Sequence, residues 1–319
     1  MKVSVVISTW NRCGQIAATL DQMGSLEVPP GAEWELLVVN NNCTDATDEV
    51  IASFEGRLPI RRLFEPKQGL SNSRNCGIAA ASAELIVFTD DDVFVEPAWL
   101  GAYVEAARRW PEAAYFGGRI VPHFEVEPPC WVQDNLPRFR NMFGVRDFGP
   151  DERPFVDGEA PFGGNMALRR EALARWRFAP ELGRSGNGRM MGEETDLFAH
   201  LHEAGHWGVW VPEAGLGHFI PQECFTRRYI WNYFRGQART GVRLHGVAGD
   251  GLFLGAPRYH VRRYLVARLK SWALYPLGRD GWLTPLIHAA KSRGIIEESR
   301  ALRRAAVEPS TRSAVPQQQ

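Results

Sequence analysis

Apolar residues in the first third of the chain come in short, nearly unbroken runs. Val3 to Thr9, Trp34 to Asn40, Ile60 to Phe64 and Glu84 to Asp90 read as strands. Helical spacing fills the segments around 15–25, around 44–55 and from about Leu70 to Ala81. Strands that are apolar on both faces and alternate with helices predict an α/β class, with a mainly parallel sheet covered on both sides. A helix from about Pro97 to Trp110 follows, opened by proline where no N–H donor is needed, and then a strand from Ala114 to Phe124. From Glu125 to Phe162 the periodicity gives way to a Pro- and aromatic-rich stretch, expected to be mobile or to shape a substrate surface. Order resumes at Gly163 to Arg170. It continues in a helix entered through Gly192-Glu193-Glu194-Thr195-Asp196-Leu197 and in a strand from Trp207 to Val211. Phe225 to Val307 is mostly helical in pattern, and the final Pro-Gln-Gln-Gln reads as disordered.

Ligands of such sheets gather at the carboxyl ends of the strands. There the chain places Ser8-Thr9-Trp10-Asn11-Arg12, then Asn40-Asn41-Asn42-Cys43-Thr44-Asp45, then Asp90-Asp91-Asp92. Alternate carboxylates at a strand end, Asp90 and Asp92, suit a hard divalent cation, and three adjacent negative charges are most stable when a cation neutralises them. The competing reading is a solvated acidic turn ahead of the next helix.

At 319 residues, 45% hydrophobic and 23% charged, the chain is long enough to bury a full core as one large domain or two smaller ones. Its five cysteines are odd in number and scattered, which argues against a disulfide framework or a zinc site and fits a reducing cytoplasm. The amino terminus enters directly into a strand pattern, and no apolar run approaches the roughly 20 residues that span a bilayer, so neither export nor transmembrane anchoring is expected. The formal net charge of +0 conceals an asymmetry. Between Cys224 and Arg279 there are 11 Lys and Arg residues against one acid, Asp250. Such a block serves an anionic surface, a phosphorylated substrate or the acidic part of its own fold.

Several ordered motifs together resemble the inverting nucleotide-sugar glycosyltransferases of family 2, with the GT-A (Rossmann-like) fold. Val3-Ser4-Val5-Val6-Ile7-Ser8-Thr9-Trp10-Asn11-Arg12 is similar to the family's first strand and nucleotide-binding turn, and Val38 to Thr47 to its second. Gly69-Leu70-Ser71-Asn72-Ser73-Arg74-Asn75-Cys76-Gly77 resembles the helix start before the metal strand, and Asp90-Asp91-Asp92 resembles the DXD motif. The match runs from Val3 to roughly Gly241. It implies a nucleotide-sugar half over 1–124, an acceptor-side half over 125–241, and a basic helical extension with a disordered tail over 242–319.

The resemblance implies donor-nucleotide contacts from Thr9, Asn11, Arg12, Asn40, Asp45, Arg74, Asn75, Asp90 and Asp91. Turn capping by Thr9, Asn11 and Arg12, helix capping by Asp45 and a salt bridge from Arg74 to Asp90 would leave the same sequence. Asn40 stands where many relatives carry an acid that accepts from uracil, so the base is left open. Asp92 is implied as the direct ligand of Mg²⁺ or Mn²⁺, with Asp90 beside it and His218, after Gly215-Leu216-Gly217, as a further candidate. An inverting transfer also needs a carboxylate base at the acceptor hydroxyl. Gly192-Glu193-Glu194-Thr195-Asp196-Leu197 resembles the acidic catalytic motif, with Glu194 as base and Glu193 as either an acceptor-binding partner or the alternative base, although acids also belong in the first turn of any helix. Gly163-Gly164-Asn165 resembles the acceptor-side loop, and a hairpin turn would use the same residues.

Val261, Leu265, Leu269 and Trp272 recur at helical spacing between Arg258 and Tyr275, among Arg262, Arg263, Arg268 and Lys270. Packing of that stripe on the catalytic domain is one explanation, and an interfacial helix on anionic lipid over residues 258–275 is the other. No nucleic-acid-binding module is recognised. The expected enzyme is a metal-dependent glycosyltransferase working in the cytoplasm, free or on the inner face of the plasma membrane. It would move sugar to a saccharide or lipid-linked saccharide acceptor in bacterial polysaccharide or glycolipid synthesis. A nucleotidyltransferase, and a sugar-nucleotide-binding or scaffold protein without turnover, are the alternatives.

Overall fold

A computed structural model describes residues 1–185, 188–246, 251–253, 255–278 and 280–307. The terminal Pro-Gln-Gln-Gln lies outside them. The chain forms two compact units, the first made of Met1–Gly188 with Gly192–Cys224, the second of Arg189–Met191 with the chain from Phe225 onward.

Unit one is built on a nine-stranded sheet: β1 (Lys2–Thr9), β2 (Glu33–Asn40), β3 (Ile60–Phe64), β4 (Leu85–Thr89), β5 (Val93–Val95), β6 (Tyr115–Phe124), β7 (Arg153–Pro154), β8 (Asn165–Arg169) and β9 (Gly208–Ile220). Their order is β3-β2-β1-β4-β8-β6-β9-β5, with β7 beside β9. The β3-β2-β1-β4 half is parallel, as the continuous apolar runs predict. β8 then enters antiparallel between β4 and β6. The helices are α1 (Cys13–Met23), α2 (Thr47–Ser53), α3 (Leu70–Ala80), α4 (Trp99–Arg109), α5 (Cys130–Gln133), α6 (Leu136–Phe139) and α7 (Glu193–Glu203).

The two-residue period of the strands sorts the core into two layers. Val5, Val38 and Val87 face α1 and α4, packing with Ile16, Leu20, Trp99 and Tyr103. Val6, Leu37 and Phe88 face α3 and α7, packing with Ile78, Leu197 and Leu201. Each such aliphatic side chain, fully buried, contributes about 1.5–3 kcal/mol, so the central strands are the most strongly fixed part of the unit. Their carboxyl ends are thereby held rigidly in register, with Thr9 opposite Asn40 and Ile7 opposite Thr89.

Two expectations change. The strand expected over Trp207 to Val211 continues to Ile220, through a register shift between Val211 and Leu216. The glycines at 215 and 217 break the apolar pattern that would have announced it. The stretch 125–162 is anchored: Val132, Phe139, Met142 and Phe143 are buried, with Phe139 and Phe143 packed on one another and on Trp131 and Phe124 respectively. Its core is aromatic rather than periodic, which hides it from a helical or strand template.

Unit two contains α8 (Arg227–His245), α9 (Arg258–Leu274) and α10 (Leu283–Val307). A division of the chain at 241/242 falls inside α8. That helix is continuous there because Ile230, Tyr233, Phe234 and Val242 form one buried face. Among the described residues no helix is long and apolar enough to cross a membrane.

Candidate active site

The acidic turn begins where β4 ends, and β8, paired antiparallel with β4 so that Asn165 faces Thr89, brings Gly163 and Gly164 alongside it. Thr89 donates from its hydroxyl to the Gly164 carbonyl at 2.9 Å. A Cβ at Gly164 would stand 2.6 Å from Asp90 Oδ2, and one at Gly163 would collide with both Arg74 and Glu194. Only glycine lets the backbone come this close to the carboxylates.

The three aspartates have different surroundings. Asp91 is buried, its carboxylate accepting from Arg12 at 2.9 Å and its carbonyl from the Thr19 hydroxyl at 3.0 Å. Burial pushes its pKa up to about 6, against the pull of Arg12. Asp92 accepts from the same Arg12 nitrogen at 2.7 Å and lies 3.5 Å from His218 Nε2. Burial opposes its charge, but His218, Arg12 and Arg184 outweigh burial and hold its carboxyl well below the ordinary range. Asp90 faces the other way, 3.6 Å from Arg74 Nη2.

His218 sits on the extended part of β9. Its Nδ1 lies 2.7 Å from the Phe143 carbonyl, so that nitrogen carries the donated proton and Nε2 faces Asp92. Burial alone would lower the pKa of this ring, but the bond and charge of Asp92, with the Phe143 carbonyl, raise it on balance. The gap between Nε2 and Asp92 therefore favours a positive occupant, a ring proton or a metal ion. Among the described residues no three His, Cys, Asp or Glu side chains gather into a metal cage. Few side-chain donors completed by phosphate oxygens and water is the form that Mg²⁺ favours; the Asp92 carboxylate suits Mg²⁺ or Mn²⁺, whereas an imidazole nitrogen is a poor partner for Mg²⁺, so a ligating His218 would favour Mn²⁺ of the two.

Arg74 joins this turn to the glutamates. It is buried in α3, over the Phe178 ring, with Nη1 3.2 Å from Glu193 and 3.8 Å from Glu194. Gly192 turns the chain into α7 with φ +101°, a left-handed conformation that glycine adopts without strain, and the two glutamates fall in the first helical turn. Glu194 remains partly exposed and accepts from the Gly163 N–H at 3.2 Å. Glu193 is buried, and that burial, reinforced by the charge of Glu194 and only partly offset by Arg74, pushes its pKa up to about 8.

The turns after β1 and β2 are latched to one another. Asn11, in a left-handed conformation at φ +52°, accepts from Thr44 N at 2.7 Å, and Asp45 accepts from Cys13 N at 3.0 Å and from Thr47 N and Oγ1. Asn40 bonds Asp48 and Cys43 N. Asn75 makes a two-way bond with the backbone of Phe178. These side chains, expected on the nucleotide, are held within the fold here, whereas Thr9 and Arg12 stand at the strand ends beside the acidic turn.

Asn165 requires a correction. Its amide is fully buried, donates to the carbonyls of Arg119 and Ala214, and accepts from Trp99 Nε1 and Tyr103 OH. All four of its hydrogen-bonding positions are filled, so it fastens β8 to its neighbours and has none left for an acceptor sugar. Thr19, Arg184 and the carbonyl of Phe143 belong to the site and carry no motif. Asn41 does comparable work nearby, donating to the carbonyls of Glu65 and Lys67 and accepting from Gly69 N.

Residues 4–176 match the model of the family described as Glycosyl transferase family 2. The chain is 27% identical over 258 residues to the succinoglycan biosynthesis protein ExoM of Rhizobium meliloti (strain 1021), covering 79% of this chain and 78% of that one. It is 23% identical over 241 residues to a glucosyl-dolichyl phosphate glucuronosyltransferase of Haloferax volcanii, covering 74% of each. Among solved structures, the mannosyltransferase PcManGT from Pyrobaculum calidifontis, in complex with GDP-Man and Mn²⁺, is similar with a TM-score of 0.56 at 15% identity, over 96% of this chain and 76% of that one. TarS of S. aureus in complex with UDP gives 0.55 at 14% identity, over 99% and 95%. At these identities the structural likeness is one of fold, and that fold is GT-A.

Proposed function

Given that the chain belongs to glycosyl transferase family 2 and is a glycosyltransferase of the GT-A fold, we propose that it transfers a sugar with inversion from a nucleoside-diphosphate donor to a hydroxyl acceptor, with Mg²⁺ or Mn²⁺. The acceptor we assign is a growing saccharide, free or lipid-linked, in bacterial surface polysaccharide or glycolipid synthesis, made at the cytoplasmic side. The naming of ExoM for succinoglycan biosynthesis and the nucleotide-sugar complex of PcManGT support that reading.

The observation that carries it is Arg74, whose guanidinium spans Asp90 on one side and Glu193 and Glu194 on the other. A donor-phosphate side and a base side therefore share one fixed cation. In the proposed reaction Arg12 and Thr9 meet the donor at the strand ends. Asp92 and His218, with Asp90 adjacent, would hold the metal, which when bound stabilises negative charge on the departing diphosphate. Glu194, oriented by Gly163 N–H and Arg74, takes the proton of the acceptor hydroxyl as that oxygen attacks the anomeric carbon. Glu193, buried with a raised pKa, keeps a proton at neutral pH and limits the negative charge crowded around its neighbour. Gly163 and Gly164 offer backbone, rather than side chain, to the sugar.

Incubation with a panel of nucleotide sugars, with Mg²⁺, Mn²⁺ or EDTA, tests this. Metal-dependent release of nucleoside diphosphate, and a product with the anomeric configuration opposite to the donor's by proton NMR, are expected. Retained configuration, or equal turnover in EDTA, overturns the corresponding part.

A further inference from the structure

Of the apolar stripe of α9, Val261 is half-buried and the other three positions do not pack inward. Ala267 and Ser271 are the buried positions of that helix, and they are small enough for close packing of α9 on its neighbours. Leu265, Leu269 and Trp272 point outward and are 56%, 67% and 75% exposed, with Val266 and Tyr259 also exposed. At 100° per residue, Trp272, Leu265, Leu269 and Val266 fall within about 120° of the circumference, bordered by Arg268 on one side and Lys270 on the other. A helix that buries Ala and Ser while leaving Leu, Leu and Trp in water inverts the usual arrangement, and such patches mark interaction surfaces.

The charges select the partner. Arg235, Arg239 and Arg243 of α8 are each paired with Glu297 or Glu298 of α10. Arg258, Arg262, Arg263, Arg268 and Lys270 of α9 make no ion pair among the described residues, and α9 itself contains no acid. Arg258 and Arg262 lie within the same arc about one to two turns earlier, Arg258 donates to the Leu252 carbonyl and Arg268 stacks over Trp231. An exposed Trp and two Leu among long cationic side chains match the boundary between acyl chains and anionic headgroups.

We propose that the outward face of α9 is a docking surface for an anionic lipid bilayer, with Leu265, Leu269 and Trp272 entering the headgroup boundary and the five cations meeting lipid phosphates. This goes beyond the transfer reaction and is measured without any donor.

Co-sedimentation of the full chain with vesicles of phosphatidylcholine, with and without phosphatidylglycerol, provides the test. The parent should bind the phosphatidylglycerol vesicles at least roughly tenfold better than pure phosphatidylcholine, and less as salt rises. Replacing Leu265, Leu269 and Trp272 by Glu should abolish binding, while Arg262→Gln with Lys270→Gln should weaken it only on anionic vesicles. Circular dichroism and metal-dependent nucleotide release should stay at parental values for both variants, which separates this proposal from the catalytic one. Equal sedimentation of parent and triple variant, or no binding by the parent, overturns it. So does a parental dimer in sedimentation velocity that the triple substitution converts to monomer, because the face would then serve a second copy of the chain.

Discussion

At the end of β4 each carboxylate meets a cation supplied by the fold, whereas along α9 five cations meet no carboxylate among the described residues. The first arrangement is internal: Arg12 lies against Asp91 and Asp92, and Arg74 against Asp90, Glu193 and Glu194. With Glu193 holding its proton at neutral pH, four carboxylates against two guanidiniums still leave an excess of negative charge. The second arrangement leaves five cations without an ion pair among the described residues. Buried charge is costly to move out of water and survives only where it is paired, so the paired groups report on chemistry and fold together, while the unpaired ones report on what lies outside. Substitutions in the two regions should therefore differ in kind.

The largest effect expected is on turnover. Glu194→Gln keeps the shape of the side chain and its bond to Gly163 N–H but cannot accept a proton, so kcat should fall by about 10²–10⁴ with donor affinity and folding unchanged. Transfer at the parental rate would remove Glu194 from the role of base.

Arg74→Met comes next, because it removes the cation that both sides of the site share. Loss of charge-assisted contacts in the interior should cost about 1.5–3 kcal/mol of stability, read from urea unfolding, and should reduce kcat as well. If stability falls and kcat does not, Arg74 is a structural bolt and the two sides are not coupled through it.

Glu193 sharpens the comparison through pH. Its carboxyl is raised from the ordinary 4.5 to about 8 in the folded chain, so between those values the native state holds a proton that the unfolded chain releases. Its contribution to stability is complete below about pH 4.5 and is lost as pH rises through 8. Thermal unfolding at pH 5 and pH 9 should show the parent losing stability relative to Glu193→Gln as pH rises. A gap independent of pH would mean that Glu193 stays ionised beside Arg74 throughout.

The sequence carried the parallel half of the sheet and the acidic turn because both depend on local pattern. Val3 to Thr9 must be buried on both faces wherever it lies, and three adjacent aspartates after such a strand mark a polar turn at the carboxyl edge of the sheet. It did not carry what depends on distant neighbours. Thr19 supports Asp91 across 72 positions, and no local feature distinguishes it from a helical threonine facing water. Asn165 reads the same whether its amide meets a sugar or is enclosed by Trp99 and Tyr103. On α9 the spacing located the apolar stripe correctly, but spacing alone does not say whether a stripe faces a core or a membrane. Ala267 and Ser271 occupy the inward side, which leaves Leu265, Leu269 and Trp272 exposed.

The smallest effects isolate that last distinction within unit two. Glu298 is fully buried and holds Arg239 at 2.7 Å and Arg243 at 2.5 Å, so Glu298→Gln exchanges two charge-assisted bonds for weaker ones while both guanidiniums remain. Because those arginines still reach water, the cost should be about 1–2 kcal/mol in urea unfolding. Arg262→Gln with Lys270→Gln removes the same number of charge-assisted opportunities from α9, yet should alter stability by no more than about 0.5 kcal/mol, since neither side chain has a partner within the described fold. A loss on α9 as large as that at Glu298 would show that its cations serve the fold. In that case the exposed Leu265, Leu269 and Trp272 would need an explanation that does not involve charge.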